Sequence, residues 1–209
     1  MDRRKVIAAI LMAIGIGCIS VPIYWKYKGA SETDKLLESF ELTLEVQTDE
    51  EVEKKGKEAC GKTTNSKKVE ATQVSDEESD MEGAIGIIEI EALGIRYPIV
   101  EGAGNGELRY SIGHLSETAG IGEKGNCVLA GHNGSRYGEY FTHLNRLEIG
   151  DKVKVTDKRG TVHEYVVNEQ FVVGPKENSI KTQTDKEELT LFTCAEHGTK
   201  RFVVKCNEL

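Results

Sequence analysis

Positions 6 to 25 carry no charged side chain, and nearly every residue among them is apolar. As a helix, such a run is long enough to cross the hydrocarbon core of a bilayer, which takes about 20 residues. This feature divides the chain, because whatever follows must fold in water on one side of a membrane. Asp2-Arg3-Arg4-Lys5 precedes the run, and positive charge beside a first span stays on the cytoplasmic side. The expectation is a single-pass protein of the cell membrane, with its amino terminus cytoplasmic and its body extracellular. A cleaved signal peptide has a shorter apolar stretch and a small-x-small cleavage site, and no such site follows here. A lipoprotein signal ending at Cys18 needs Leu or a similar residue where this chain has Gly15.

From Gly29 to Glu82 the sequence is rich in Glu, Lys, Thr and Ser. A stretch of that composition buries too little apolar surface to offset the ordering of its backbone, so it reads as a polar stalk. Within it, Leu36, Leu37, Phe40, Leu42 and Leu44 mark a short helix or strand over Lys35 to Val46, and Cys60 reads as an exposed thiol. At Gly83 the texture changes to short apolar runs punctuated by Gly, Asn, Asp and Pro, which is the pattern of many short strands. Seven strands are expected: 85–90, 95–100, 126–131, 152–156, 161–173, 188–193 and 201–206. Their number and spacing predict an all-β barrel or sandwich rather than βαβ layers, with short helices or turns near Glu107 to Ile112 and Tyr137 to Leu144. The predicted division is an anchor over 1–28, a stalk over 29–82 and one β domain over 83–209.

A net charge of -8 and a pI near 5.3 exclude a nucleic-acid binder, which needs a basic patch against phosphate. The cysteines at 18, 60, 127, 194 and 206 form no C-x-x-C pair, so neither structural zinc nor a thioredoxin-like redox site is indicated. No H-x-x-x-H or close Cys/His set is present, and neither a metal nor a cofactor is predicted.

The strongest chemical signal is Leu189-Thr190-Leu191-Phe192-Thr193-Cys194, an apolar strand ending in a cysteine. Arg201 opens the next strand after a short loop, which would set thiol and guanidinium on neighbouring strands. Successive strand side chains face opposite sides of a sheet. With Leu191, Phe202, Val204, Cys206, Cys127 and Leu129 facing the core, Cys194, Arg201 and His132 all turn to the other face. A thiol beside an imidazole and a fixed cation is a favoured nucleophile. The imidazole can protonate a leaving amine and later deprotonate an incoming one, while the cation or a backbone N–H stabilises an oxyanion. That set describes acyl transfer through a thioester.

Thr190-Leu191-Phe192-Thr193-Cys194 resembles the T-L-x-T-C strand of sortases, Leu129-Ala130-Gly131-His132-Asn133 their histidine segment, and Arg201-Phe202-Val203-Val204 their arginine strand. Leu93 to Val100, Gly113-His114, Gly122 to Asn126 and Leu147 to Asp151 are also similar to sortase segments, so the resemblance covers nearly all of 83–207. It implies a closed eight-stranded β-barrel that cleaves Leu-Pro-x-Thr-Gly-like sorting signals of surface proteins between Thr and Gly. The product is held as a thioester and passed to an amine acceptor such as a peptidoglycan precursor of a Gram-positive cell wall. On that template Cys194 is the nucleophile, His132 the general acid/base and Arg201 the oxyanion partner, with Thr193 contributing to the oxyanion site. The Pro98 and Gly113-His114 segments are closest to class D.

Glu196 and His197, in the loop beside the nucleophile, are expected to line the substrate groove, and His197 is the rival imidazole to His132. His114 is expected to cap a turn or make a core hydrogen bond, and His143 and His163 to lie at the surface or at edges. Two other functions are weighed. An L,D-transpeptidase also uses Cys and His on a β scaffold, but in a Ser-x-Gly-Cys-Arg context that Thr193-Cys194-Ala195 does not match. A tethered, non-catalytic β-barrel binding module would tolerate Cys194→Ser without loss.

Overall fold

The computed structural model describes residues 3–55, 83–134 and 136–209. A single long helix, α1 (Arg3–Lys55), comes first and contains Pro22. Most of its described apolar side chains before Trp25 are exposed, Leu11 at 64% and Ile19 at 66%, on a helix long and apolar enough to cross a membrane. Apolar surface with no protein against it is what a lipid-facing segment presents.

α1 does not end where the polar stretch begins. It continues through Gly29 and turns one stripe toward the barrel, with Gly29, Thr33 and Phe40 buried and Leu36, Leu37 and Leu44 half-buried. The 3–4 residue spacing is that of one helix face. The short helix or strand expected over 35–46 is thus part of this longer helix. An existing helix needs no new nucleus to extend, and a modest apolar stripe suffices to dock it. Thr33 Oγ1 donates to the Tyr110 carbonyl at 2.9 Å, and the Arg96 guanidinium donates to Glu41 at 2.6 Å. The later part of the predicted stalk, Cys60 included, lies outside the described residues.

Residues from Gly83 onward form a closed barrel of eight strands: β1 (Gly86–Ile90), β2 (Ile95–Glu101), β3 (Ile112–His114), β4 (Gly125–Gly131), β5 (Lys152–Asp157), β6 (Val162–Val173), β7 (Glu187–Ala195) and β8 (Lys200–Glu208). Neighbours run β1-β2-β3-β4-β7-β8-β6-β5, and β5 returns to β1. Seven strands fall where alternation places them. The eighth, β3, is only three residues long and carries no readable period. Among the described residues the helical content beyond α1 is five single turns of 3-10 helix, where one or two short helices are expected from the sequence.

The barrel interior is filled by the inward set of each strand, among them Ile88, Ile90, Ile99, Leu129, Val153, Val155, Tyr165, Leu189, Leu191 and Val204. Cys127 and Cys206 belong to this core as free thiols, and burial pushes both up to about 12, so they stay protonated and inert. His114 is buried, with Nδ1 3.0 Å from the Glu101 carboxylate and Nε2 2.9 Å from the Ala119 carbonyl. This is a core hydrogen-bonding role of the kind expected for it.

Candidate active site

Two pairings at one end of the barrel build the site. β4 and β7 run parallel with Gly131 opposite Thr193, so the next residues, His132 and Cys194, follow from adjacent strands at the same height. β7 and β8 run antiparallel with Cys194 opposite Arg201. The thiol-bearing strand is therefore flanked by the imidazole on one side and the guanidinium on the other. All three residues line one groove of about 510 Å³.

Backbone ties hold this arrangement. Thr193 Oγ1 donates to the Gly131 carbonyl at 2.8 Å, a buried bond joining the residues that immediately precede Cys194 and His132. Asn133 Nδ2 donates to the Cys194 carbonyl at 2.7 Å, a second link between the same two segments. The Phe141 N–H donates to the His132 carbonyl at 3.2 Å. Gly131 admits no side chain, since a Cβ there would lie 2.6 Å from the Phe141 ring. Arg201 Nη1 donates to the carbonyls of Gly198 and Lys200, both at 3.0 Å, which tethers the guanidinium to the β7–β8 turn. His132 is half-buried, and burial lowers its pKa below the ordinary 6.5, so the neutral ring predominates at pH 7.

The groove floor is apolar. Leu115, Val128 and Ala130 form a second cluster outside the barrel core, covered by Ala103, Leu108 and Phe192. Its walls come from the β2–β3 connection, the β3–β4 loop and the β6–β7 loop, which bring Asn105, Leu108, Ser116, Glu117, Asn178, Ile180 and Lys181 to the lining. Lys181 Nζ lies 2.5 Å from Glu117 Oε1 and bridges two of these loops. The Asn126 amide reaches back to the carbonyls of Ile180 and Thr182, anchoring the β6–β7 wall to β4. The outward Phe192 on β7 was the one sequence sign of this floor; the loop residues had none.

Thr193 borders the groove, but its hydroxyl is engaged by Gly131. Glu196 and His197 are not among the groove-lining residues. They occupy a tight turn at positive φ, 47° and 56°, where Glu196 pairs with Lys200 at 2.8 Å. Among the described residues no group of three or more His, Cys, Asp or Glu side chains is placed to hold a metal ion.

Residues 88–209 match the family model of the sortase domain. The chain belongs to the sortase family. As a sortase it is a transpeptidase, an enzyme whose family acts at the cell surface on surface proteins. Sortase A of Bacillus anthracis is 26% identical over 98% of this chain and 95% of its own length. Sortase D of Bacillus subtilis is 26% identical over 96% of each chain. Among solved structures, a sortase D5 transpeptidase of Clostridium perfringens superposes with a TM-score of 0.64 at 28% identity, covering 86% of this chain and 99% of its own.

Proposed function

We propose that this sortase, of class D type, cleaves a Leu-Pro-x-Thr-Gly-like sorting signal at the carboxyl end of surface proteins and joins the new end to an amine of a cell-wall precursor. The observation that carries the reading is the register that brings Cys194, His132 and Arg201 into one groove. His132 takes the thiol proton as Cys194 Sγ attacks the Thr carbonyl carbon, and the carbonyl oxygen takes the negative charge. Arg201 N–H donors stabilise that charge, an effect of order 10²–10³ in rate for a single oxyanion donor. As the tetrahedral intermediate collapses, the Thr–Gly C–N bond breaks, and the imidazolium of His132 gives its proton to the departing glycine amine. The thioester is then attacked by the acceptor amine, whose proton His132 takes; Cys194 leaves as the thiolate and His132 returns the proton to it.

The apolar floor around Ala130, Leu108 and Phe192 suits the Leu and Pro side chains of such a signal. The anchor supports a catalytic domain held outside the cell, with the amino terminus in the cytoplasm, because Arg3, Arg4 and Lys5 precede the apolar run.

The test is to incubate the full chain in detergent with a panel of Leu-Pro-x-Thr-Gly-like peptides, with and without an added amine. Mass spectrometry is expected to find the amino-terminal peptide fragment attached to Cys194, and its transfer to the amine. Neither adduct nor transfer is expected for Cys194→Ala or His132→Ala, whereas His197→Ala transfers normally. Transfer by the Cys194→Ala protein would overturn the assignment.

A further inference from the structure

α1 leaves the apolar run and meets the barrel almost at once. Trp25 closes the uncharged run. Its ring is edge-on to Tyr137 with centroids 5.6 Å apart, and the Arg136 guanidinium lies 5.3 Å over it. One helical turn further, Gly29 sits against the Tyr137 backbone so closely that a Cβ would fall 2.0 Å from its carbonyl oxygen. At 1.5 Å rise per residue, Trp25 to Gly29 spans only about 6 Å. The barrel therefore begins where the membrane segment ends, at the level where Trp and Tyr settle among headgroups.

Beside this seam, Val21, Pro22, Ile23, Trp25, Lys26 and Arg136 line a recess of about 520 Å³. Its apolar wall belongs to the membrane run, its other wall carries two cations, and no carboxylate is among the lining residues. We propose that Lys26 and Arg136 bind the phosphate of an anionic phospholipid, with an acyl chain along Val21 and Ile23, and so seat the barrel on the bilayer surface. The proposal rests on α1 spanning the membrane. A free phosphate ion would use the cations but leave the apolar wall uncovered; a lipid uses both. Arg136 and Tyr137 share a loop with His132, whose carbonyl is tied to Phe141. Seating this loop also sets the height of the groove above the membrane.

The experiment uses the full chain reconstituted in phosphatidylglycerol vesicles, in phosphatidylcholine vesicles and in detergent. Trp25 is the only tryptophan, so its fluorescence reports the seam directly. Quenching by lipids brominated near the headgroup is expected, and its absence would overturn both the spanning helix and the lipid site. Amide exchange of residues 133–138 is read in parallel, with Glu187 to Leu191 as the reference. The loop is expected to be protected most in phosphatidylglycerol. Two cations near an anionic surface correspond to about thirtyfold in the bound-to-free ratio, and Lys26→Ala with Arg136→Ala should abolish the difference between the two lipids. Quenched Trp25 with loop exchange equal in all three media would overturn the headgroup site while leaving the anchor and the acyl-transfer chemistry standing. Protection reproduced by inorganic phosphate in detergent would overturn the lipid as its source.

Discussion

Replacing Thr193 by Val keeps its shape and removes the hydroxyl that donates to Gly131 at 2.8 Å. The side chain is only 4% exposed, so water cannot freely take over the lost bond. Leaving a buried acceptor short of its donor costs about 1–3 kcal/mol. With a urea dependence of about 2 kcal/mol per molar, the unfolding midpoint should fall by about 0.5–1.5 M. Thr193→Ser keeps the bond and loses one methyl group, about 0.8 kcal/mol by transfer, and should fall less. The bond also sets Cys194 against His132, so turnover in the Val variant should drop on the order of tenfold to a hundredfold, the cost of a small misplacement of reacting groups. Urea titration followed by tyrosine near-ultraviolet dichroism, and peptide transfer rates for both variants, make the measurement. A Val variant equal to wild type in midpoint and turnover would refute the reasoning, as would a Ser variant damaged as badly as the Val one.

Asn133→Ala and Asn133→Asp both lose the donor to the Cys194 carbonyl; each should lower kcat/KM about 2- to 10-fold, the range of one modest hydrogen bond, and an Asp variant of full activity would contradict this. His132 should titrate by NMR below 6.5, because burial disfavours its charged form. Its folded pKa lies below the unfolded one, so its contribution to stability is present above about 6.5 and is lost as pH falls through the depressed value; a midpoint at or above 6.5 would reverse that sign. Burial raises Glu101, but hydrogen bonds from Ser116 and His114 and the charge of His114 outweigh it and leave the carboxyl lowered. Asp157 is likewise lowered, where burial is outweighed by the N–H groups of Thr161 and Arg159, the Arg159 guanidinium and His163. Both therefore stabilise the fold above the ordinary carboxylate range, an effect lost as pH falls through their lowered values, and Glu101→Gln should flatten the acid limb of a stability-against-pH curve.

The barrel was legible because Ile, Val and Leu alternate along β1, β5 and β7 with no competing helical period. The same alternation put Cys194, His132 and Arg201 on one face, and the strand register carries that through to a shared groove. For Glu196 and His197 alternation says nothing, because period 2 holds only for extended backbone; their expected place in the groove rests only on the loop's position beside Cys194. Three successive residues at positive φ, Glu196, His197 and Gly198, end the alternation, and neither Glu196 nor His197 is among the groove-lining residues. The docking face of α1 was hidden among Glu, Lys and Ser, since its buried positions include Gly29 and Thr33, which composition counts as polar or neutral. Asn133 stood in a quoted motif, but its link to Cys194 crosses 61 positions, a distance over which sequence spacing carries no geometric information.

The pairing of β4 with β7 joins segments some sixty positions apart, and such distant pairing is intrinsically slow to form. Until they pair, the sulfur of Cys194 and the imidazole of His132 lie on unconnected pieces of chain. Assembly of the cylinder is thus what creates the groove: Cys194 and His132 become neighbours only once β7 is locked between β4 and β8.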